Sequence, residues 1–140
     1  MTQLSPDPAA RHHVLIVDDE VAVCQAATDY LSAYGFRVDT AQELEQAESM
    51  LASSAYALVI ADVRLTGIHG REGLELVRFV RRRFPNVGII VMTAHASPEL
   101  EREAQQRGAD MFLEKPLPLS ELLVRARRVL DTRHQPTDPT

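Results

Sequence analysis

Leu58-Val59-Ile60-Ala61-Asp62 decides how this chain is read: an apolar run ending in one carboxylate, followed by the glycine-bearing loop Val63 to Gly73. A strand covered on both faces is written as a continuous apolar run, and such strands belong to parallel sheets. On that reading the run carries Asp62 to the rim of a sheet. A lone Asp after a strand is more often a helix cap. What matters is therefore what else reaches the same rim.

Working outward, Val14 to Val17, Val87 to Met92 and Met111 to Leu113 are further short apolar runs, and Phe36 to Thr40 reads as an edge strand. Helical patterns lie between them. Cys24, Ala27, Leu31 and Tyr34 form a stripe closed by Gly35. Thr40 and Glu43 match a capping box ahead of Leu44, Ala47 and Leu51. Leu76, Phe79 and Val80 oppose Arg78, Arg81 and Arg82. Ser97 and Pro98 read as cap and first helical position, with Leu100 and Ala104 behind them and Gly108 as the stop. Leu122, Leu123, Ala126, Val129 and Leu130 mark a last helix. Five strands alternating with five helices predict βαβ units, and so a doubly wound α/β fold with a parallel sheet. Ligands of such folds bind beyond the carboxyl ends of the strands.

The chain has 140 residues, 45% hydrophobic and 25% charged, as expected of one soluble domain. Residues 1–12 read as a flexible arm, 13–131 as the domain and 132–140 as a tail or linker. His12 and His13 lack the sequence neighbours of a metal site. No apolar run approaches the roughly 18 to 20 residues of a membrane span, and Met1 to His13 lacks the pattern of a secretory signal. The single cysteine, Cys24, excludes an internal disulfide, fits a reducing cytoplasm and falls on a core stripe. A net charge of −5 argues against generic nucleic-acid binding. The cluster Arg78, Arg81, Arg82 and Arg83 reads as a solvated helix face.

Collected at the strand ends are Asp18 and Asp19, then Asp62, Thr93 and Lys115. Three crowded carboxylates repel unless a cation compensates them. Hard oxygen donors suit Mg²⁺. A hydroxyl and an ammonium suit phosphoryl oxygens. Together these groups point to a Mg²⁺-dependent phosphoryl site with a carboxylate nucleophile.

The motifs Val17-Asp18-Asp19-Glu20, Asp62-Val63-Arg64-Leu65, Met92-Thr93-Ala94 and Lys115-Pro116 resemble those of receiver domains of bacterial two-component response regulators. The resemblance runs from about His13 to Leu130. It implies a flavodoxin-like five-stranded sheet in the order 2-1-3-4-5, with Asp62 as phosphoacceptor. By the same resemblance Asp19, Asp62 and the backbone carbonyl of Arg64 would ligate Mg²⁺, and Asp18 would act mainly through a bound water. Thr93 and Lys115 would hold phosphoryl oxygens, and Thr93 and Phe112 would form the switch. The Lys115-Pro116 bond would be cis, against a prior of about 5%.

The implied partners are a sensor histidine kinase or phosphotransfer protein and an unidentified downstream protein. The output surface would be the fourth helix, fifth strand and fifth helix, carrying Arg125 and Arg128, and a homodimer could use it. Neither nucleic acid nor membrane is an expected partner of this domain. The expected chemistry is self-phosphorylation and slow autodephosphorylation rather than enzymatic turnover. The rival readings are an unphosphorylated receiver-like scaffold and a haloacid-dehalogenase-like phosphatase. Departures from the family fall in one loop: Thr66 stands where Pro is common, and Gly73 to Leu76 is displaced along the chain. Arg64, two residues past the acceptor, is expected to shield the phosphoryl group from water, a path that His95 also borders.

Overall fold

The computed structural model describes residues 12–62 and 72–133. Its strands are β1 (His13–Val17), β2 (Arg37–Ala41), β3 (Leu58–Asp62), β4 (Gly88–Thr93) and β5 (Met111–Glu114). They form one sheet in the order β2-β1-β3-β4-β5. Every pairing is parallel, so all carboxyl ends share one rim. Between and after the strands run α1 (Val21–Ser32), α2 (Leu44–Ser53), α3 (Glu72–Arg83), α4 (Pro98–Arg107) and α5 (Leu119–Arg133). The expected α/β architecture and strand order are those observed.

Alternation along the strands divides the core in two. Val14, Ile16, Leu58, Ile60, Ile90 and Met92 face α1 and α5, meeting Cys24, Ala27, Leu31 and the whole predicted stripe from Leu122 to Leu130. Leu15, Val17, Val59, Ala61, Ile89 and Val91 face α2, α3 and α4, meeting Leu51, Leu74, Val77, Val80 and Ala104 among others. Each fully buried aliphatic side chain contributes about 1.5–3 kcal/mol. The central strands are therefore fixed from both faces. Gly88 lets α5 approach β4 closely, because a Cβ there would lie 2.6 Å from Val129 Cγ1.

Local signals held at α4, where the Ser97 hydroxyl accepts from the Leu100 amide at 3.1 Å and Gly108 adopts φ 117°. They failed at α2. Thr40 lies inside β2, Glu43 is the N-cap without a side-chain cap bond, and the Gln42 amide instead donates to Gln46 Oε1 at 2.9 Å. Tyr34 lies beyond α1 and is half exposed, with the Arg127 guanidinium 5.8 Å from its ring centroid. His12, expected in the arm, sets its ring at a tilt against Phe36 with centroids 5.3 Å apart, and α5 continues through Arg133. The remaining arm and tail (1–11 and 134–140) and the loop residues 63–71 lie outside the described residues.

Candidate functional site

The rim where β1, β3, β4 and β5 end brings Asp18, Asp62, Thr93 and Lys115 together. Asp18 and Asp62 are 3% and 8% exposed and Thr93 is fully buried. The Asp18 backbone amide donates to Ala41 O at 3.0 Å, which anchors it to the end of β2. Asp18 Oδ1 accepts from the Glu20 amide at 2.9 Å, so this carboxylate also organises the approach to α1. Asp19 is exposed on the same turn. Carboxylate oxygens of Asp18, Asp19 and Asp62 lie within 4.8 Å of one another.

Lys115 balances part of that charge. Its Nζ donates to Asp18 Oδ2 at 2.6 Å and to Asp62 Oδ2 at 3.0 Å. Burial works against the ammonium, but its hydrogen bonds to Asp18 and Asp62 and their negative charge outweigh it and hold the Lys115 pKa above its ordinary value. The Lys115 amide donates to Thr93 O at 2.8 Å, tying the fifth strand's end to the fourth. The Lys115-Pro116 bond is cis, as the resemblance implied.

Thr93 Oγ1 accepts from the His95 amide at 3.1 Å, so the hydroxyl is joined to the β4–α4 turn. Register pairs Val91 with Phe112 and Thr93 with Glu114. Phe112 is partly buried and packs into the core shared with α3 and α4. The expected site residues Asp18, Asp19, Asp62, Thr93 and Lys115 thus converge, while Phe112 lies one step down the same face of the sheet. Arg64 lies outside the described residues.

Three clustered carboxylates, two of them on one ammonium, fit a hard divalent cation, since added positive charge relieves their repulsion and every donor is oxygen. The adjacent pair Asp18-Asp19 lacks the spacing of a haloacid-dehalogenase-like phosphatase, and the third acid comes from β3. Beside the acids lies a cavity of about 460 Å³ between α1 and α5, walled by Ile16, Ile60, Met92, Val23, Ala27 and Leu122. The neighbouring outer face of α1 carries Val21, 66% exposed.

At the opposite rim are two clusters that sequence did not announce. His13 is buried at the start of β1; its Nε2 donates to Asp39 Oδ2 at 2.8 Å, and the Tyr56 hydroxyl donates to the same oxygen at 2.7 Å. Burial works against the Asp39 charge, yet Tyr56 and His13 outweigh it and lower its pKa. Arg81, expected in a solvated face, donates to Gly108 O, Pro85 O and Val87 O and pairs with Asp110. Asp110 also receives Arg133 and the Ile89 amide. Arg125, expected on the output surface, pairs with Glu121 on its own helix at 2.8 Å.

Residues 14–127 match the family of response regulator receiver domains. The chain is 32% identical over 124 residues to the C4-dicarboxylate transport transcriptional regulatory protein DctD of Pseudomonas aeruginosa, covering 89% of this chain and 26% of that protein. It is 35% identical over 117 residues to the response regulator MprA of Mycolicibacterium vanbaalenii, covering 84% and 49%. The chain thus spans a quarter to a half of these curated relatives. Among solved structures, a CheY-like receiver domain from Methanospirillum hungatei superposes with TM-score 0.83 at 26% identity, covering 89% of this chain and 97% of the other. The beryllofluoride-activated NtrC4 receiver domain dimer gives TM-score 0.79 at 28% identity, with 86% and 98% covered.

Proposed function

The chain belongs to the response regulator receiver family, and from that premise we propose that it is a signalling switch controlled by phosphorylation of Asp62. The observation that carries this reading is Lys115 Nζ, which meets Asp18 and Asp62 at once across three strands. An acceptor carboxylate, a second buried acid and a charge-neutralising ammonium thereby share one rim.

In the reaction an Asp62 oxygen attacks the phosphorus of a phosphohistidine in line. The new O–P bond forms as the P–N bond breaks, and the departing imidazole takes up a proton. Lys115, already beside Asp62, pairs with a phosphoryl oxygen. Asp18, Asp19 and Asp62 would hold Mg²⁺, joined by the Arg64 carbonyl; the ion supplies further charge neutralisation. Water attacking the same phosphorus later returns Asp62 and free phosphate. Arg64 would slow that attack, so Arg64→Ala is expected to shorten the phosphoryl lifetime, and an unchanged lifetime would remove this role.

Switching follows from Thr93. Its hydroxyl leaves the His95 amide to donate to a phosphoryl oxygen, a contact that exists only in the phosphorylated state. Phe112, on the same face, moves into the space released. The surface of α4, β5 and α5 then changes for a downstream protein or a second copy. A histidine kinase or phosphotransfer protein in the cytoplasm is the proposed donor, and the apolar cavity and exposed Val21 offer it a footing beside Asp62. None of the described helices is long and apolar enough to cross a membrane.

Incubation with Mg²⁺ and acetyl phosphate or phosphoramidate tests the reading, with Asp62→Asn as control. One labile phosphate on the wild type and none on the variant is expected. No labile phosphate on the wild type would favour the unphosphorylated scaffold.

A further inference from the structure

Glu20 lies at the mouth of the site and has no part in the chemistry above. Its backbone is held firmly. The amide donates to Asp18 Oδ1 at 2.9 Å, and the carbonyl accepts from the Val23 and Cys24 amides at 3.1 Å each. The side chain projects outward from that fixed point with its carboxylate 65% exposed and Oε1 3.9 Å from Lys115 Nζ. Lys115 is thus faced by Asp18 at 2.6 Å, Asp62 at 3.0 Å and Glu20 at 3.9 Å. The two nearer acids are buried with it, and of these three only Glu20 stands in solvent, next in sequence to the exposed Asp19.

We infer that Glu20 is a specificity-determining residue for the phosphodonor, a conclusion that rests on Asp62 being the acceptor. A phosphoryl dianion arriving free in solution meets the Glu20 carboxylate before it reaches Lys115, and it must displace that carboxylate from the ammonium's surroundings. Like charges a few ångströms apart at a protein surface oppose each other measurably. A phosphoryl group carried on nitrogen is penalised less when that nitrogen holds a positive charge. Glu20 thereby favours nitrogen-linked donors over free anhydride dianions. It acts on the approach of the donor and not on the bond-making step, so it is a selectivity residue and not a catalytic one.

The probes are acetyl phosphate, a dianion at neutral pH, and phosphoramidate, whose protonated nitrogen leaves it a monoanion. Phosphorylation rate constants are measured at saturating Mg²⁺ for wild type, Glu20→Gln, Glu20→Asp and Glu20→Lys, each checked for folding by circular dichroism. Glu20→Gln is expected to raise the acetyl phosphate rate about threefold to tenfold at low ionic strength. The phosphoramidate rate rises by a smaller factor, and Glu20→Lys widens the difference further. Glu20→Asp stays near wild type because it keeps the charge. The excess shrinks as salt screens the exposed carboxylate.

An acetyl phosphate to phosphoramidate ratio equal in wild type, Gln and Lys variants would overturn the inference while leaving Asp62 as acceptor. So would a change in ratio that salt does not reduce. Failure of both donors to label the folded wild type would instead remove the acceptor reading, and this inference with it.

Discussion

Gly88→Ala tests how closely the last helix sits on the sheet. The new Cβ would meet Val129 Cγ1 at 2.6 Å, Leu58 Cδ1 at 3.1 Å and the Ala57 carbonyl at 3.6 Å. Carbon atoms in optimal contact are about 3.5–4.0 Å apart, so Val129 must retreat by about 1 Å. Val129 is 4% exposed in the middle of α5, and it can retreat only by taking that helix with it or by leaving its rotamer. Overpacking of this kind costs about 1–3 kcal/mol. Replacing a strand glycine returns about 0.5–1 kcal/mol of conformational entropy. The net expectation is a loss of up to about 2.5 kcal/mol, seen as a lower urea midpoint with an unchanged m-value. Val129→Ala makes room for the new methyl, so the double variant should recover part of the loss and depart from additivity. A stabilised Gly88→Ala, or strict additivity in the double variant, would refute the close approach of α5 to β4.

Two further outcomes are expected. Magnesium at a hundredfold its dissociation constant should stabilise the native state by about 2.7 kcal/mol by mass action. Asp19→Asn should need more Mg²⁺ for the same rise in Tm, and an unchanged titration would take Asp19 out of the ligand set. Asp39 has its pKa lowered in the fold, so its contribution is present above its unfolded value near 3.8 and is lost as pH falls through the folded one. Tyr56→Phe removes one of the groups responsible; it should cost about 0.5–1.5 kcal/mol at neutral pH and flatten stability against pH below 4. Parallel acid curves for the two proteins would contradict this.

Much of the architecture was legible because burial on both faces leaves a plain trace. Val14 to Val17 and Leu58 to Ala61 could satisfy their side chains only between two layers of helix, and there they are found. The site was legible for a topological reason: in an all-parallel sheet, residues that follow strands share a rim wherever they lie in sequence. What escaped notice depends on partners remote in the chain. Thr40 looks like a helix cap until β1 claims it, pairing it with Ile16. Arg81 sits on a helix face that sequence shows as solvated, and its acceptor, Gly108, is 27 residues away. His13 gives no sign that Asp39 and Tyr56 await it. Local periodicity carries no information about any of these meetings.

The bond between Lys115 and Asp18 joins residues 97 positions apart. Contacts of such separation close late, after shorter loops have formed. A nascent or partly folded chain therefore holds Asp62 without its ammonium, and a fragment ending before β5 never acquires one. If Asp62 is the acceptor and Lys115 its partner, as proposed, competence for phosphorylation is in this sense a certificate of completed folding: an unfinished copy of the domain cannot be written on until its last strand is in place.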